Sequence, residues 1–470
     1  MLFNSWPFLV LLCITFVLFY APGTSRLQAQ VLVAASFVFY AWENPWLLTL
    51  LCFSILANSL LSYALLAKGW RRHALVTVAA VVLNITLLSF FKYGSFFYAS
   101  LFGHDARSSV SHLLGTLPLP IGISFYTFEG ISLIVDIFRS RTQTCVIAKT
   151  SFPRHLLNTS LFVSFFPHLV SGPILKAKDF YPQIVRKRFC DIPWPRLYQD
   201  LVVGYFLKLV VADNLKDLTF YMEATNFSTQ PGKHLASLLV GFSVQIFADF
   251  AGYSLIALGL ARLFGYEMPV NFRFPYISSS LKEFWTRWHI SLSQWLRNYL
   301  YIPLGGNRHG GYRTYFNLFL VMVLGGLWHG AAGSFALWGL YHGLGLAFER
   351  LLADRGVGVP DSLLFRPFRM LLVFIFVTMG WLLFKLTSLE TVWAFMKTII
   401  QNWSMPCRAE FLTNLVLFCL PVFLYHLWHL SNPRVSARFA NAFRAVALGA
   451  MLFAILFNSG TTGRFIYFQF

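Results

Sequence analysis

Apolar residues along the chain gather into long runs at roughly 6–22, 29–42, 45–67, 74–91, 118–138, 197–212, 235–260, 365–386, 411–430 and 446–463. Most have about the 17 to 25 residues that carry a helix across some 30 Å of hydrocarbon. The pattern predicts an all-α polytopic membrane protein, with residues 1–470 forming a single integral-membrane domain. The first run has no basic residue before it and no small-residue cleavage site after it. It reads as a retained helix, not a signal peptide.

Two segments break the pattern. Residues 156–175 are apolar but contain Pro167, His168, Gly172 and Pro173, with basic sequence on both sides. Such a segment is expected to enter and leave the membrane by one face, its broken backbone buried in protein or lining a wet cavity. The other is 315–348. Its first limb, Tyr315 to Trp328, has 14 residues, about 21 Å of helix and too short to cross alone. Glycines at 325, 326, 330 and 333 then allow a bend or close packing, so His329 is expected within the membrane thickness.

Composition agrees with this pattern. The chain is 57% hydrophobic and 12% charged, about half the charged share of a soluble protein. The net charge of +19 invites a nucleic-acid reading, but the cations cluster in the loops between runs. Positive-inside loops beside an anionic leaflet explain them, and no nucleic-acid partner is expected. Loops 68–73, 139–154, 176–196, 262–313 and 431–445 are basic, whereas 102–116, 213–234 and 387–410 are weakly charged. That bias puts the first group in the cytoplasm and both termini outside. The six cysteines (13, 52, 145, 190, 407 and 419) have neither CxxC spacing nor an obvious pairing, so no disulfide framework or zinc site is expected.

The most informative stretch runs from Phe284 to Arg308 and contains Arg287-Trp-His289-Ile-Ser-Leu-Ser. From 281 to 300, apolar residues recur on one helical face, with Lys282, Arg287 and Arg297 mostly on the other. One reading is an interfacial amphipathic helix anchored by tryptophans. A second adds that the cations hold the phosphates of a cytoplasmic donor such as a coenzyme A thioester. His289 borders the apolar face; His329 follows in Leu-Trp-His-Gly. One histidine beside a cationic surface and one at membrane depth suggest chemistry that uses both sides of a membrane.

For His329 two readings stand. A neutral imidazole accepts a proton from a hydroxyl attacking an acyl carbon, in a setting that keeps water away; alternatively it is a hydrogen-bonded packing residue. His342 reads as structural. Gln245, Asp249 and Tyr253 form an i, i+4, i+8 polar stripe. An intramembrane carboxylate there either orients a histidine, lines a proton or substrate path, or makes a buried interhelical hydrogen bond. Glu129 and Asp136 invite the same readings. His426 and His429 lack carboxylate or cysteine neighbours, so no metal is expected. There is no G-x-S-x-G elbow, P-loop, dinucleotide fingerprint or H-E-x-x-H.

Taken in order, Leu119-Pro-Ile-Gly-Ile-Ser-Phe-Tyr-Thr-Phe-Glu129, Phe165-Phe-Pro-His-Leu-Val-Ser-Gly-Pro173, Ala212-Asp-Asn214 and Gln245-Ile-Phe-Ala-Asp-Phe-Ala-Gly-Tyr-Ser254 resemble the membrane-bound O-acyltransferases. The two histidine motifs and the closing Phe465-Ile-Tyr-Phe-Gln-Phe470 continue the likeness, in the branch of bacterial alginate O-acetylases. The chain departs from the family pattern at His168, where glutamine is usual, and at Ala248, where a bulkier residue is.

The resemblance implies a ring of about ten to twelve tilted helices with re-entrant elements around a central funnel. It matches His329 to the family's catalytic histidine and His289 to its second, more cytoplasmic one. It implies no bound cofactor, acetyl-CoA as donor, and a periplasmic acetyltransferase partner that places the acetyl group on an exported polysaccharide such as alginate. The setting would be a bacterial inner membrane. Two other functions stay open. A polysaccharide or proton-coupled transporter would use Asp249 and His329 as a relay, although the sequence has no internal repeat of the kind many transporters carry. D-alanyl transfer to teichoic acid would use the same fold.

Overall fold

The structure, a computed structural model, describes residues 1–67, 73–102, 120–140, 147–170, 172–357, 362, 364–431, 437–461 and 465. The basic loop at 68–72, the weakly charged loop from 103, Leu119, Arg141, Cys145 and the closing residues 466–470 lie outside the described residues. Every regular element among the described residues is helical. By its internal contacts the chain divides into two compact units, residues 1–198 with 257–269 and residues 199–256 with 270–470. No Gly/Pro-rich linker marks the boundary in sequence, because continuous helices run through it.

The first unit contains α1 (Trp6–Tyr20), α2 (Gln28–Ala41), α3 (Trp46–Leu65), α4 (His73–Phe102), α5 (Ile123–Arg139) and α6 (Phe152–Ser164). α1 starts where Ser5 accepts the Phe8 N–H, with Pro7 in the first turn, a position that needs no amide donor. Between α3 and α4, Asn58 and Asn84 exchange amide hydrogen bonds of 3.2 and 2.9 Å. In an apolar surround such a pair fixes the register of two helices.

The predicted break in 156–175 is present: α6 stops at Ser164, and Phe165 leaves helical geometry before a one-turn helix, Phe166–Leu169. Glu129 and His168 stitch the break, with both side chains fully buried and His168 Nδ1 3.1 Å from Glu129 Oε1. The same oxygen accepts from the Leu175 amide, and His168 Nε2 lies 3.2 Å from the Phe162 carbonyl.

After α7 (Trp194–Tyr205), which straddles the boundary, the second unit runs through a π-helical stretch, Phe206–Ala212, into α8 (Asp213–Thr219) and the long α9 (Gly232–Leu263). Then come α10 (Leu281–Arg287), α11 (Ile290–Leu296), α12 (Gly310–His329), α13 (Gly333–Asp354), α14 (Arg366–Lys385), α15 (Leu389–Gln401), α16 (Ala409–Ser431) and α17 (Ala437–Phe457).

By length and composition six helices among the described residues can cross a membrane: α3, α4, α9, α14, α16 and α17. The predicted runs at 6–22 and 29–42 appear as the shorter apolar helices α1 and α2. In the most apolar window, α9 is 83% buried and α17 is 0%, which marks α9 as an interior helix and α17 as one facing lipid. Val446, Phe453, Leu456 and Phe457 on α17 are accordingly exposed.

Two sequence expectations change. The amphipathic helix over 281–300 is not continuous: α10 ends at Arg287, His289 takes φ 41° and ψ 56°, and α11 begins at Ile290. The apolar spacing is helical on each side, but it carries no sign of the left-handed residue between them. The limb before His329 is also longer than the 14 residues inferred. α12 begins at Gly310 and has 20 residues, about 30 Å of helix. It extends through Tyr312 and Arg313, whose polarity had marked them as loop.

Candidate active site

The second unit brings the two motif histidines together. His329 is the last residue of α12, and His289 is the left-handed residue between α10 and α11. Their ring centroids are 6.2 Å apart. The sequence had suggested two levels of the membrane, one histidine near the cytoplasmic surface and one at depth. The structure instead packs both against Trp328 in the protein interior, His289 1% and His329 4% exposed.

His329 owes its place to a tight hairpin. A Cβ on Gly326 would lie 2.2 Å from the Phe335 carbonyl oxygen, and one on Gly339 2.2 Å from that of Met322. Only hydrogen fits at these two positions, so α12 and α13 meet backbone to backbone. The His329 ring then sits among Trp328 at 5.0 Å, Trp338 at 5.3 Å and Phe384 at 5.3 Å between centroids, all at steep angles. These walls are aromatic, and they leave His329 4% exposed.

His289 is held by its backbone. A non-glycine residue at positive φ carries roughly 1–3 kcal/mol of strain and persists only where neighbours fix it. Asn271 supplies that fixation: its carbonyl accepts the Ile290 N–H at 2.9 Å, and its Oδ1 accepts the Ser291 hydroxyl at 2.6 Å. Its amide in turn donates to Ser254 Oγ at 3.1 Å. The clamp presents the His289 ring edge-on to Phe250, 4.6 Å between centroids, and beside Trp328 at 5.7 Å.

The other candidates go elsewhere. Asp249 pairs with a lysine: its Oδ1 is 2.8 Å from Lys208 Nζ, which also lies 2.7 Å from Asp213 Oδ1. Gln245 Oε1 accepts from the Thr219 hydroxyl. Both residues line a cavity of about 810 Å³, whose lining includes neither histidine. The cavity and the histidine pocket approach each other at α14, where Phe384 stands against His329 and the following Lys385 lines the cavity.

Arg287 is engaged by Glu283 at 2.7 Å and donates to the Arg273 carbonyl at 3.2 Å, so its guanidinium braces the Phe274 turn. Arg297 is exposed in the π turn that follows α11. His342 is buried against Trp285 and Trp338, with neither ring nitrogen hydrogen-bonded. His426 bonds the Val422 carbonyl and His429 stacks on Phe274, so each ring has its own packing partner.

Sequence reasoning missed Lys208 and Asn271. A lysine inside the apolar run 197–212 was a legible signal, since a membrane-depth cation needs a carboxylate partner. Nothing local to Asn271 announces its role, because its partners are 17 to 20 positions away in sequence.

Comparison with known proteins follows the same residues. A model of the membrane-bound O-acyltransferase family matches residues 35–393, which contain both histidines, Asp249 and Asn271. The chain is 37% identical over 402 residues to the probable alginate O-acetylase AlgI of Pseudomonas aeruginosa, covering 84% of this chain and 74% of that protein. It is 33% identical over 397 residues to the peptidoglycan O-acetyltransferase of Helicobacter pylori (78% and 73%). With the teichoic acid D-alanyltransferase of Bacillus subtilis it shares 32% over 238 residues, 47% of this chain and 56% of the relative.

Proposed function

This chain belongs to the membrane-bound O-acyltransferase family, and on that premise we propose that it takes acetyl groups from cytoplasmic acetyl-CoA and passes them across a bacterial inner membrane. The product is O-acetyl on an exported polysaccharide such as alginate, completed by a periplasmic acetyltransferase partner. That the chain is a multi-pass O-acyltransferase is the coarser statement on which this rests.

The observation that carries the reading is the histidine pair, 6.2 Å apart behind aromatic walls. In the reaction an acceptor hydroxyl oxygen bonds to the acetyl carbonyl carbon as the C–S bond of the thioester breaks. His329 takes the hydroxyl proton and returns it to the departing thiolate, so charge and protons balance. His289 supports donor-side binding or proton movement. Exclusion of water protects the thioester from hydrolysis. Exposed Arg297 is the cation offered to donor phosphates, with Arg287 contributing through the turn it braces.

The test is inside-out membrane vesicles carrying the full chain, supplied with acetyl-labelled acetyl-CoA. Label appearing as O-acetyl on the enclosed face supports the reading. Transfer that requires an acyl carrier protein, with acetyl-CoA inert, would move the assignment to D-alanyl-type chemistry. Polysaccharide flux with no donor consumed would make it a transporter.

Asn271 gives a second test, as a positioning residue. In Asn271→Ala the His289 turn loses its side-chain clamp, and turnover is expected to fall about 10- to 100-fold through misplacement of the ring. The kcat should drop with KM for acetyl-CoA little changed, and Asn271→Asp, which keeps the acceptor for Ser291, should recover part of it. Equal loss of folded protein and activity would reduce Asn271 to a packing role.

A further inference from the structure

A groove of about 290 Å³ runs along the seam between α9 and α16. It follows Leu412, Val416, Leu420 and Phe423 on α16, and Ser237 and Val240 on α9. Its floor, Leu415 and Cys419, is buried, whereas the lips, Val416 and Leu420, are 59% and 47% exposed. The floor is sunk because α9 presents a glycine there: a Cβ on Gly241 would lie 2.6 Å from Leu415 Cδ1. The Ser237 hydroxyl donates to the His234 carbonyl at 2.8 Å, so the lining asks for no polar partner. From 412 to 423 α16 rises about 16 Å, half of the roughly 30 Å hydrocarbon core and hence the depth of one leaflet. Both helices start from the weakly charged loops 213–234 and 387–410, which charge bias assigns to the outer side.

Two exposed cations, Lys233 and Arg408, stand at the outer end of the groove. Lys233 is four residues before Ser237 and Arg408 four before Leu412, so each lies one helical turn above a groove residue, on the same face. The Leu412 N–H donates to the Arg408 carbonyl, which brings Arg408 into that turn. The Arg408 amide donates to His234 Nε2 at 3.0 Å and ties the starts of α9 and α16 together. Glu410, the acidic residue in the first turn of α16, falls on the opposite side of the helix from Leu412.

We propose that this groove binds one phospholipid of the outer leaflet, its acyl chain lying along α16 and its anionic headgroup between Lys233 and Arg408. The site goes beyond acyl transfer and does not depend on that reading. A groove that is apolar along its length, open to hydrocarbon and one leaflet deep fits an alkyl chain, not a sugar or a nucleotide. The two cations select the headgroup, since cations near a membrane surface attract anionic lipids. A zwitterionic headgroup carries its own ammonium, which the same pair repels. Occupancy braces α9, the helix that sets Phe250 against His289.

The experiment places full-length protein in phosphatidylcholine nanodiscs doped with a lipid whose acyl chain carries a diazirine. The probe has either a phosphoglycerol or a phosphocholine headgroup, and labelled peptides are mapped by mass spectrometry after irradiation. Label is expected on 237–240 and 412–423, roughly tenfold more from the phosphoglycerol probe. The lipid-facing stretch 446–457 of α17 should take both probes alike, and its labelling reports a folded, embedded protein. Lys233→Gln combined with Arg408→Gln should equalise the two probes in the groove; both side chains are exposed, so the packing stays in place. Val240→Trp should fill the groove and remove its label while α17 remains labelled. Equal labelling by the two probes in the parent, or undiminished groove label in Val240→Trp, would overturn the proposal. A groove without label beside a labelled α17 would also overturn it, because a second copy or a partner's helix would then be the occupant.

Discussion

His329→Ala is expected to remove about 10²- to 10⁴-fold of acetyl transfer, the usual worth of a positioned general base, while leaving the protein folded in the membrane. The measurement is the O-acetyl content of surface polysaccharide in producing cells, at matched membrane levels of parent and variant. α12 and α13 are joined by the close backbone packing at Gly326 and Gly339. Removing the His329 ring opens a small void among Trp328, Trp338 and Phe384, which affects stability modestly next to the chemical loss. His342→Ala is the matched control, since it removes a comparable ring that also packs against Trp338. Equal acetylation in the His329 variant would make that histidine a packing residue.

Lys208→Met is expected to be the most damaging change outside the histidine pocket, by about 3–5 kcal/mol, because it strands two buried carboxylates beside each other. Asp213 and Asp249 both face the ammonium within 2.8 Å and are almost wholly enclosed. The readout is the thermal midpoint of purified protein and the yield of the monodisperse peak. Adding Asp249→Asn to Lys208→Met should restore part of the loss, since one carboxylate alone protonates more easily than two together. A single variant as stable as the parent would mean that the carboxylates are satisfied without the lysine.

Much of this arrangement was legible in the chain. Long apolar runs give membrane helices because lipid leaves the backbone no other partner, and the proline-bearing break near His168 follows from the same rule. The His329 motif announced a buried imidazole. What the sequence withheld is long-range. That His289 and His329 both pack against Trp328 depends on a left-handed turn at a histidine, fixed by Asn271, and on a glycine crossing whose partners are 13 positions apart. Helical periodicity on either side of His289 hides the turn, since 281–287 and 290–296 each have the right spacing. Asp249 was visible as an intramembrane charge, but its partner had to be found across helices.

The glycine crossing also bears on how such a protein changes over evolutionary time. With Gly326 and Gly339 in backbone contact, no side chain larger than hydrogen is accommodated at either position without moving the segment that carries His329. Divergence toward a longer acyl group or a different acceptor is therefore channelled into the side-chain walls, such as Trp338 and Phe384. The hairpin forms a fixed chassis, and new specificities are reached by refitting its panels.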